Sequence, residues 1–282
     1  MDYYLNQHPD IFMCPSKETH FCADDLYPQG IKCSWAHYRE LFADAVNEAI
    51  VGESSVFYML SQTAAQAIRD FCPEAKILIM LRNPIDVIAA HHTQILYECY
   101  ETENSLRRAL ELEEVRRQAH AGHSISIREK VTHYRDIVDF SAQIQRYLVR
   151  FSRDQVHFVI YDDLKKDLPI TYKQVLQFLG HDPTFQPEFT VENANKVLRS
   201  RRIQSFLRET PDWVTQASRF ILPSPKWRYL LKTNLKKLNS KRVPRNAMPE
   251  DLRTSLAREL MPEVNRLSTL LDRDLTHWCN QR

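Results

Sequence analysis

Three short apolar runs do most to limit what this chain can become. They are Ala49-Ile50-Val51 closed by Gly52, Lys76 to Leu81, and Val156 to Tyr161. Each is flanked by longer stretches in which apolar residues recur at helical spacing. These stretches are Ser34 to Glu48, Ser61 to Phe71, Leu106 to Ala119, Phe140 to Phe151, Ile170 to Leu179 and Leu252 to Trp278. Strands joined through helices need crossover connections, and crossovers pair strands in parallel. The pattern predicts one α/β domain over residues 1–282, with a basic, helical C-terminal subregion at about 190–282.

Glycine narrows the function. Only Gly30, Gly52, Gly122 and Gly180 occur, so no glycine-rich nucleotide loop can be written anywhere in the sequence. A kinase-like phosphotransferase is disfavoured on that ground. No apolar run is long enough to span a bilayer, and the first residues lack a basic start and an apolar core, so a cytoplasmic chain is expected. Six cysteines without a CxxC pair favour reduced thiols and no structural metal. The net charge of +2 gives no general affinity for nucleic acid. Thirteen Lys and Arg nonetheless fall between Arg199 and Arg245, opposed only by Glu209 and Asp212. Such a stripe suits phosphate, sulfate or an acidic polymer, and equally a solvated surface.

Several residues carry candidate chemistry. The second run ends in Arg82-Asn83-Pro84, which places a cation at the carboxyl end of a strand. Asn83 suits the cap and Pro84 the first turn of the following helix, whose N-terminus favours an anion. The competing reading pairs Arg82 with a nearby carboxylate. The first run ends in Gly52-Glu53-Ser54-Ser55, where small hydroxyls can meet an anion or simply close a turn. Lys17-Glu18 can act as charge stabiliser and general base, or as a surface pair. His91-His92 has no third ligand at useful spacing, so no metal site is expected.

Taken in order, these segments resemble the sulfotransferases that use 3′-phosphoadenylyl sulfate, the carbohydrate and heparan sulfate type with their bacterial homologues. The resemblance rests on Leu5 to Ile11 with Lys17-Glu18-Thr19-His20-Phe21, on Gly52-Glu53-Ser54-Ser55-Val56-Phe57-Tyr58, on Lys76 to Asp86, on Val156 to Gly180, on Asn193 to Arg201 and on Leu271 to Trp278. It implies a P-loop-NTPase-like three-layer fold with a central parallel sheet. It implies transfer of a sulfuryl group from 3′-phosphoadenylyl sulfate to a hydroxyl or amine of a small-molecule or glycan acceptor, without a metal. Glu18, aided by Lys17, would be the catalytic base. Arg82, Ser54, Lys196, Arg199 and Arg201 would contact the nucleotide. Three features differ from the family pattern. Ser54 stands where the family has Lys, and Ala90 where it has Ser. The "PKxGTTxL" strand and loop have no counterpart, because Met1 to Leu5 corresponds to the helix that follows them. The resemblance therefore implies an N-terminally truncated chain whose start lies upstream. The alternative is a non-catalytic relative that binds an acidic or glycan partner.

Overall fold

The structure, a computed structural model, describes residues 1–27, 34–122, 125–190, 196–200, 203–204, 206, 234–235, 238–242 and 247–280. A one-turn helix α1 (Asp2–Leu5) leads into strand β1 (Ile11–Met13). Helix α2 (Trp35–Glu40) and strand β2 (Ile50–Gly52) follow. Helix α3 (Ala64–Phe71) crosses to strand β3 (Ile77–Leu81), which feeds helix α4 (Pro84–Tyr97). Helices α5 (Leu106–Ala119), α6 (Ile127–Lys130), α7 (Tyr134–Ile137) and α8 (Phe140–Leu148) precede strand β4 (Val156–Ile160). Beyond it come α9 (Tyr161–Lys166), α10 (Leu168–Leu179), the short strands β5 (Lys196–Leu198) and β6 (Ser240–Arg242), and the long helix α11 (Glu250–Leu271).

All three predicted strands form, and the pairing is parallel as expected. β1 pairs with β2 in the register Ile11–Ile50 to Met13–Gly52. β3 pairs with β4 from Ile77–Val156 to Leu81–Ile160. The single central sheet is not seen among the described residues. There are two separate two-stranded parallel sheets, plus the antiparallel β5–β6 ribbon. β2 and β3 stand on opposite walls of a cavity instead of bonding to each other. β1 was not foreseen, since Ile11-Phe12-Met13 is too short to show a period of its own.

Local chemistry sets the element ends. Asn83 caps α4: its Oδ1 accepts the Ile85 N–H at 2.9 Å, and Pro84 fills the first turn. Asp167 does the same for α10, accepting the Ile170 N–H at 2.9 Å. Gly180 ends that helix at φ +82°, a conformation open to glycine at little cost. The helix expected to reach Glu48 stops at Glu40. The Glu48 carboxylate accepts the Val46 and Asn47 N–H groups at 2.8 and 3.0 Å, so side chain replaces helix as their partner. Pro262 sits inside α11 and cannot donate to the turn before it. The helix persists because Leu252, Leu256, Leu260, Val264 and Leu267 form one buried stripe, each worth roughly 1.5–3 kcal/mol of apolar burial.

The main core gathers Ile79, Leu81, Ile85, Ile88, Ile144 and the α11 stripe. A smaller core of Leu5, Ile11, Met13, Val159, Tyr172, Val175 and Leu176 fixes α1 and β1 against α10. Together they hold the carboxyl ends of β2 and β3 in place. None of the described helices is long and apolar enough to cross a membrane.

Candidate functional site

A cavity of about 1510 Å³ separates the two parallel sheets. Glu53, Ser54 and Ser55 line it just past the end of β2, and Arg82 just past the end of β3. Ala90 and His91 from α4, and Met1 and Asp2 at the start of α1, line it as well. Ligands of parallel α/β proteins sit beyond the carboxyl ends of the strands. The fold thus brings Arg82 and Ser54, which lie 28 positions apart by number, onto the walls of one chamber.

Arg82 is both paired and incompletely satisfied. Its Nη2 donates to Asp86 Oδ2 at 3.0 Å, and its guanidinium lies 4.8 Å from the Tyr161 ring centre. Its Nε is buried and has no hydrogen-bond partner among the described residues. Asp86 also accepts from Arg253 of α11 at 2.7 Å. Burial works to raise the Asp86 pKa, but the two guanidinium groups outweigh it and hold the carboxyl below its ordinary value. The carboxylate reading of Arg82 is therefore present in the structure. The free Nε beside the capped N-terminus of α4 leaves room for an anion as well. Sequence reasoning passed over Asp86, although an Arg–Asp pair four apart on a helix start is a legible signal. Arg253 gave no such signal, because it arrives from far along the chain.

Glu18 is held in a tight loop against the end of β2. Its own N–H donates to the Ser54 carbonyl at 2.9 Å, and its Oε2 accepts the Val56 N–H at 2.9 Å. Its φ of +59° is left-handed, as is the +49° of His20. Two such non-glycine residues in three positions mark a strained turn. Ser54 and Val56 line the cavity, so Glu18 stands at its rim. Burial pushes the Glu18 pKa up, against the lowering effect of the Val56 N–H and of Lys17. Lys17 gives Glu18 limited support because its ammonium pairs with Asp2 Oδ2 at 2.6 Å. The expectation that Lys17 keeps Glu18 ionised is thus corrected: burial dominates.

The neighbours complete the wall. His20 Nε2 is 3.4 Å from Glu18 Oε2, and its ring stacks on Tyr27 with centroids 4.5 Å apart. Burial lowers the His20 pKa to about 4, so the ring is neutral at physiological pH. Glu53 is buried and accepts hydroxyl hydrogen bonds from Thr19, Tyr58 and Tyr38. Burial raises its pKa despite those donors.

The remaining expected contacts are not gathered here. Lys196 lies on β5, which packs against α4, and its side chain lies outside the described part. Arg199 is exposed, and its N–H donates to the Asn239 carbonyl at 2.8 Å. Arg201 and most of the basic stripe lie outside the described residues. His91 and His92 each spend Nε2 on a backbone carbonyl, of Val131 at 2.7 Å and Glu103 at 2.9 Å. His8, Asp10 and His181 are the one cluster of metal-binding type among the described residues. His8 Nδ1 accepts the Asp10 N–H at 3.1 Å, which puts the proton of the neutral ring on Nε2 and leaves it no lone pair for an ion.

Known proteins show the same arrangement of sequence and fold. The chain superposes on the crystal structure of a sulfotransferase from Alicyclobacillus acidocaldarius with a TM-score of 0.70 and 28% identity, covering 99% of this chain and 92% of that one. A segment of 86 residues is 29% identical to the membrane-associated sulfotransferase kil1 of Dictyostelium discoideum, 30% of this chain and 18% of that protein. A segment of 93 residues is 30% identical to mouse heparan sulfate glucosamine 3-O-sulfotransferase 6, 33% of this chain and 25% of that protein. The matched stretches thus span a quarter or less of those two relatives. The sulfotransferase domain pattern itself matches residues 60–215, more than half of the sequence, and the α/β architecture and parallel pairing agree with it. This chain belongs to the sulfotransferase domain family.

Proposed function

We propose that the protein transfers a sulfuryl group from 3′-phosphoadenylyl sulfate to a hydroxyl or amine of a carbohydrate-like acceptor. The observation that carries this reading is the shared chamber. Arg82, with an unpartnered buried Nε, and the Ser54 loop that pins Glu18 face the same cavity. An orphaned guanidinium nitrogen beside a helix N-terminus fits a phosphate of the nucleotide. Arg82 would hold that end, with Ser54 and the Ser55 region along the facing wall. Lys196, Arg199 and Arg201 remain further proposed nucleotide contacts from the basic segment. The nucleotide, when bound, supplies the sulfuryl group.

Glu18 would accept the proton of the acceptor hydroxyl or amine as that atom attacks sulfur. Its raised pKa makes it a better base than an exposed glutamate, while leaving it largely ionised near neutral pH. His20, neutral at that pH, can donate its Nε2–H to Glu18 and steady the carboxylate without competing for the proton. Lys17 would contribute positive potential from its place beside Asp2. As in phosphoryl transfer, charge builds on oxygens around the transferred group, so fixed cations carry most of the stabilisation. The heparan sulfate relative supports a glycan acceptor as the first class to try.

The test is transfer of radiolabelled sulfate from 3′-phosphoadenylyl [³⁵S]sulfate to a panel of glycosaminoglycans, simple glycosides and amines. Label in a glycan product is the expected result. Transfer to none of the panel, with a folded protein, would overturn the transferase reading and leave a binding protein.

A further inference from the structure

The cavity has the shape and chemistry of a place for one more strand. The Ile50 N–H donates to Asp10 O at 3.1 Å, and Gly52 O accepts the Cys14 N–H at 2.8 Å, so both residues face β1. Alternation along the strand turns the Val51 N–H and C=O the opposite way. β3 bonds along its whole length to β4 and, among the described residues, to no other strand. Its alternate backbone groups therefore also face away from its partner. All three residues of β2 and all five of β3 line the one cavity. Two unpaired strand edges facing each other are an unstable arrangement, because backbone donors and acceptors away from water need partners.

Size and lining agree. A six-residue strand runs ~20 Å, takes ~4.8 Å beside its neighbour and ~10 Å between layers, roughly 950 Å³. The cavity holds about 1510 Å³. Its walls carry apolar side chains left unusually open for mid-strand positions: Val51 is 51% exposed and Met80 46%. Val56 and Phe71, also on the wall, are each 62% exposed. β2 reaches β3 through helix α3, the type of crossover that sets strands running in one direction. A strand between them, running the same way, would emerge at the carboxyl ends beside Ser54 and Arg82. Met1 and Asp2 line that same cavity, and Asp2 is tied to Lys17 past the end of β1.

We infer that the cavity takes an extended apolar strand, parallel to β2 and β3, which joins the two half-sheets into one and is supplied by polypeptide covalently joined to Met1. The turn from its carboxyl end into α1 would then border Arg82 and the Ser54 loop. The inference rests on the strand edges and the cavity and does not depend on sulfuryl transfer.

Hydrogen–deuterium exchange, read without nucleotide or acceptor, tests it. The chain is compared with an extended version carrying Lys-Ile-Val-Ile-Val-Ile-Gly-Ser-Gly-Ser ahead of Met1, with a control whose central Val is Pro, and with the same peptide added free at equal concentration. At least tenfold slower exchange at Val51 and at alternate residues of Ile77–Leu81 is expected in the extended chain alone. Unchanged exchange there, or equal slowing by the proline control, would overturn the strand. Equal protection by the free peptide would overturn the covalent source.

Discussion

At the scale of single residues, Arg82 and Glu18 are built differently. Arg82 divides its donors between Asp86 and an open direction, so a bound phosphate adds to what the structure already satisfies. A charge-assisted hydrogen bond is worth roughly 1.5–3 kcal/mol. Arg82→Ala is therefore expected to weaken 3′-phosphoadenosine 5′-phosphate at least about tenfold by calorimetry, while Arg253 continues to hold Asp86. Unchanged affinity would make Arg82 purely structural. Glu18 has its pKa raised above the ordinary 4.5 by burial. A base must be ionised to act, so kcat/KM should rise with pH through the Glu18 pKa and level off above it. The midpoint of that acid limb should lie above 4.5. A midpoint at or below that value would separate Glu18 from the reaction.

Elements explain what holds this geometry. The entry to α4 depends on Asn83, which caps the helix and donates through Nδ2 to the Trp278 carbonyl at 2.9 Å. Asn83→Ala removes both bonds and is expected to cost about 1–2 kcal/mol in urea denaturation. Helices α5 and α7 are joined by buried charge. Glu101 is almost fully buried, and its carboxylate accepts two hydrogen bonds from Arg116, at 2.7 and 2.9 Å, and one from Tyr134. Burial alone would raise its pKa, but Arg116, the Thr102 and Glu103 N–H groups and Tyr134 lower it from 4.5 to about 2. A depressed carboxyl stabilises the fold above its unfolded pKa. That stability, up to about 3 kcal/mol, should drain away as pH falls from about 4.5 towards 2. Melting temperature in Glu101→Gln should be lower at pH 7 and respond less to acid over that window. An identical acid response in both proteins would contradict the assignment.

The elements also show what the sequence made legible. Leu106 to Ala119 was readable end to end because its caps and period agree, and α5 has those bounds. The strands at Ile50, Ile77 and Val156 were readable as apolar runs, and Arg82 at the end of one of them was readable as an anion candidate. Other features depended on distance in the chain. The split of the sheet is a matter of which edges meet, and no local pattern encodes that. The Asp2–Lys17 pair, which draws Lys17 away from Glu18, and the reach of Arg253 to Asp86 arise only once α1 and α11 are packed. The left-handed turn at Glu18 and His20 was hidden because neither residue is glycine.

For the whole molecule, two half-sheets present their carboxyl ends to one chamber, with an anion-ready cation on one wall and a strained loop bearing a carboxylate at the rim of the other. This division makes donor binding and proton transfer separable by mutation. The most direct measurement pairs turnover with nucleotide affinity in Glu18→Gln. Glutamine keeps the side chain's size but cannot take a proton, and a positioned general base is worth about 10²–10⁴-fold in rate. Transfer of [³⁵S]sulfate to the best glycan acceptor should therefore fall by that factor, while the calorimetric affinity for 3′-phosphoadenosine 5′-phosphate changes less than about twofold. A Glu18→Gln protein that transfers sulfate as fast as the parent would contradict the account.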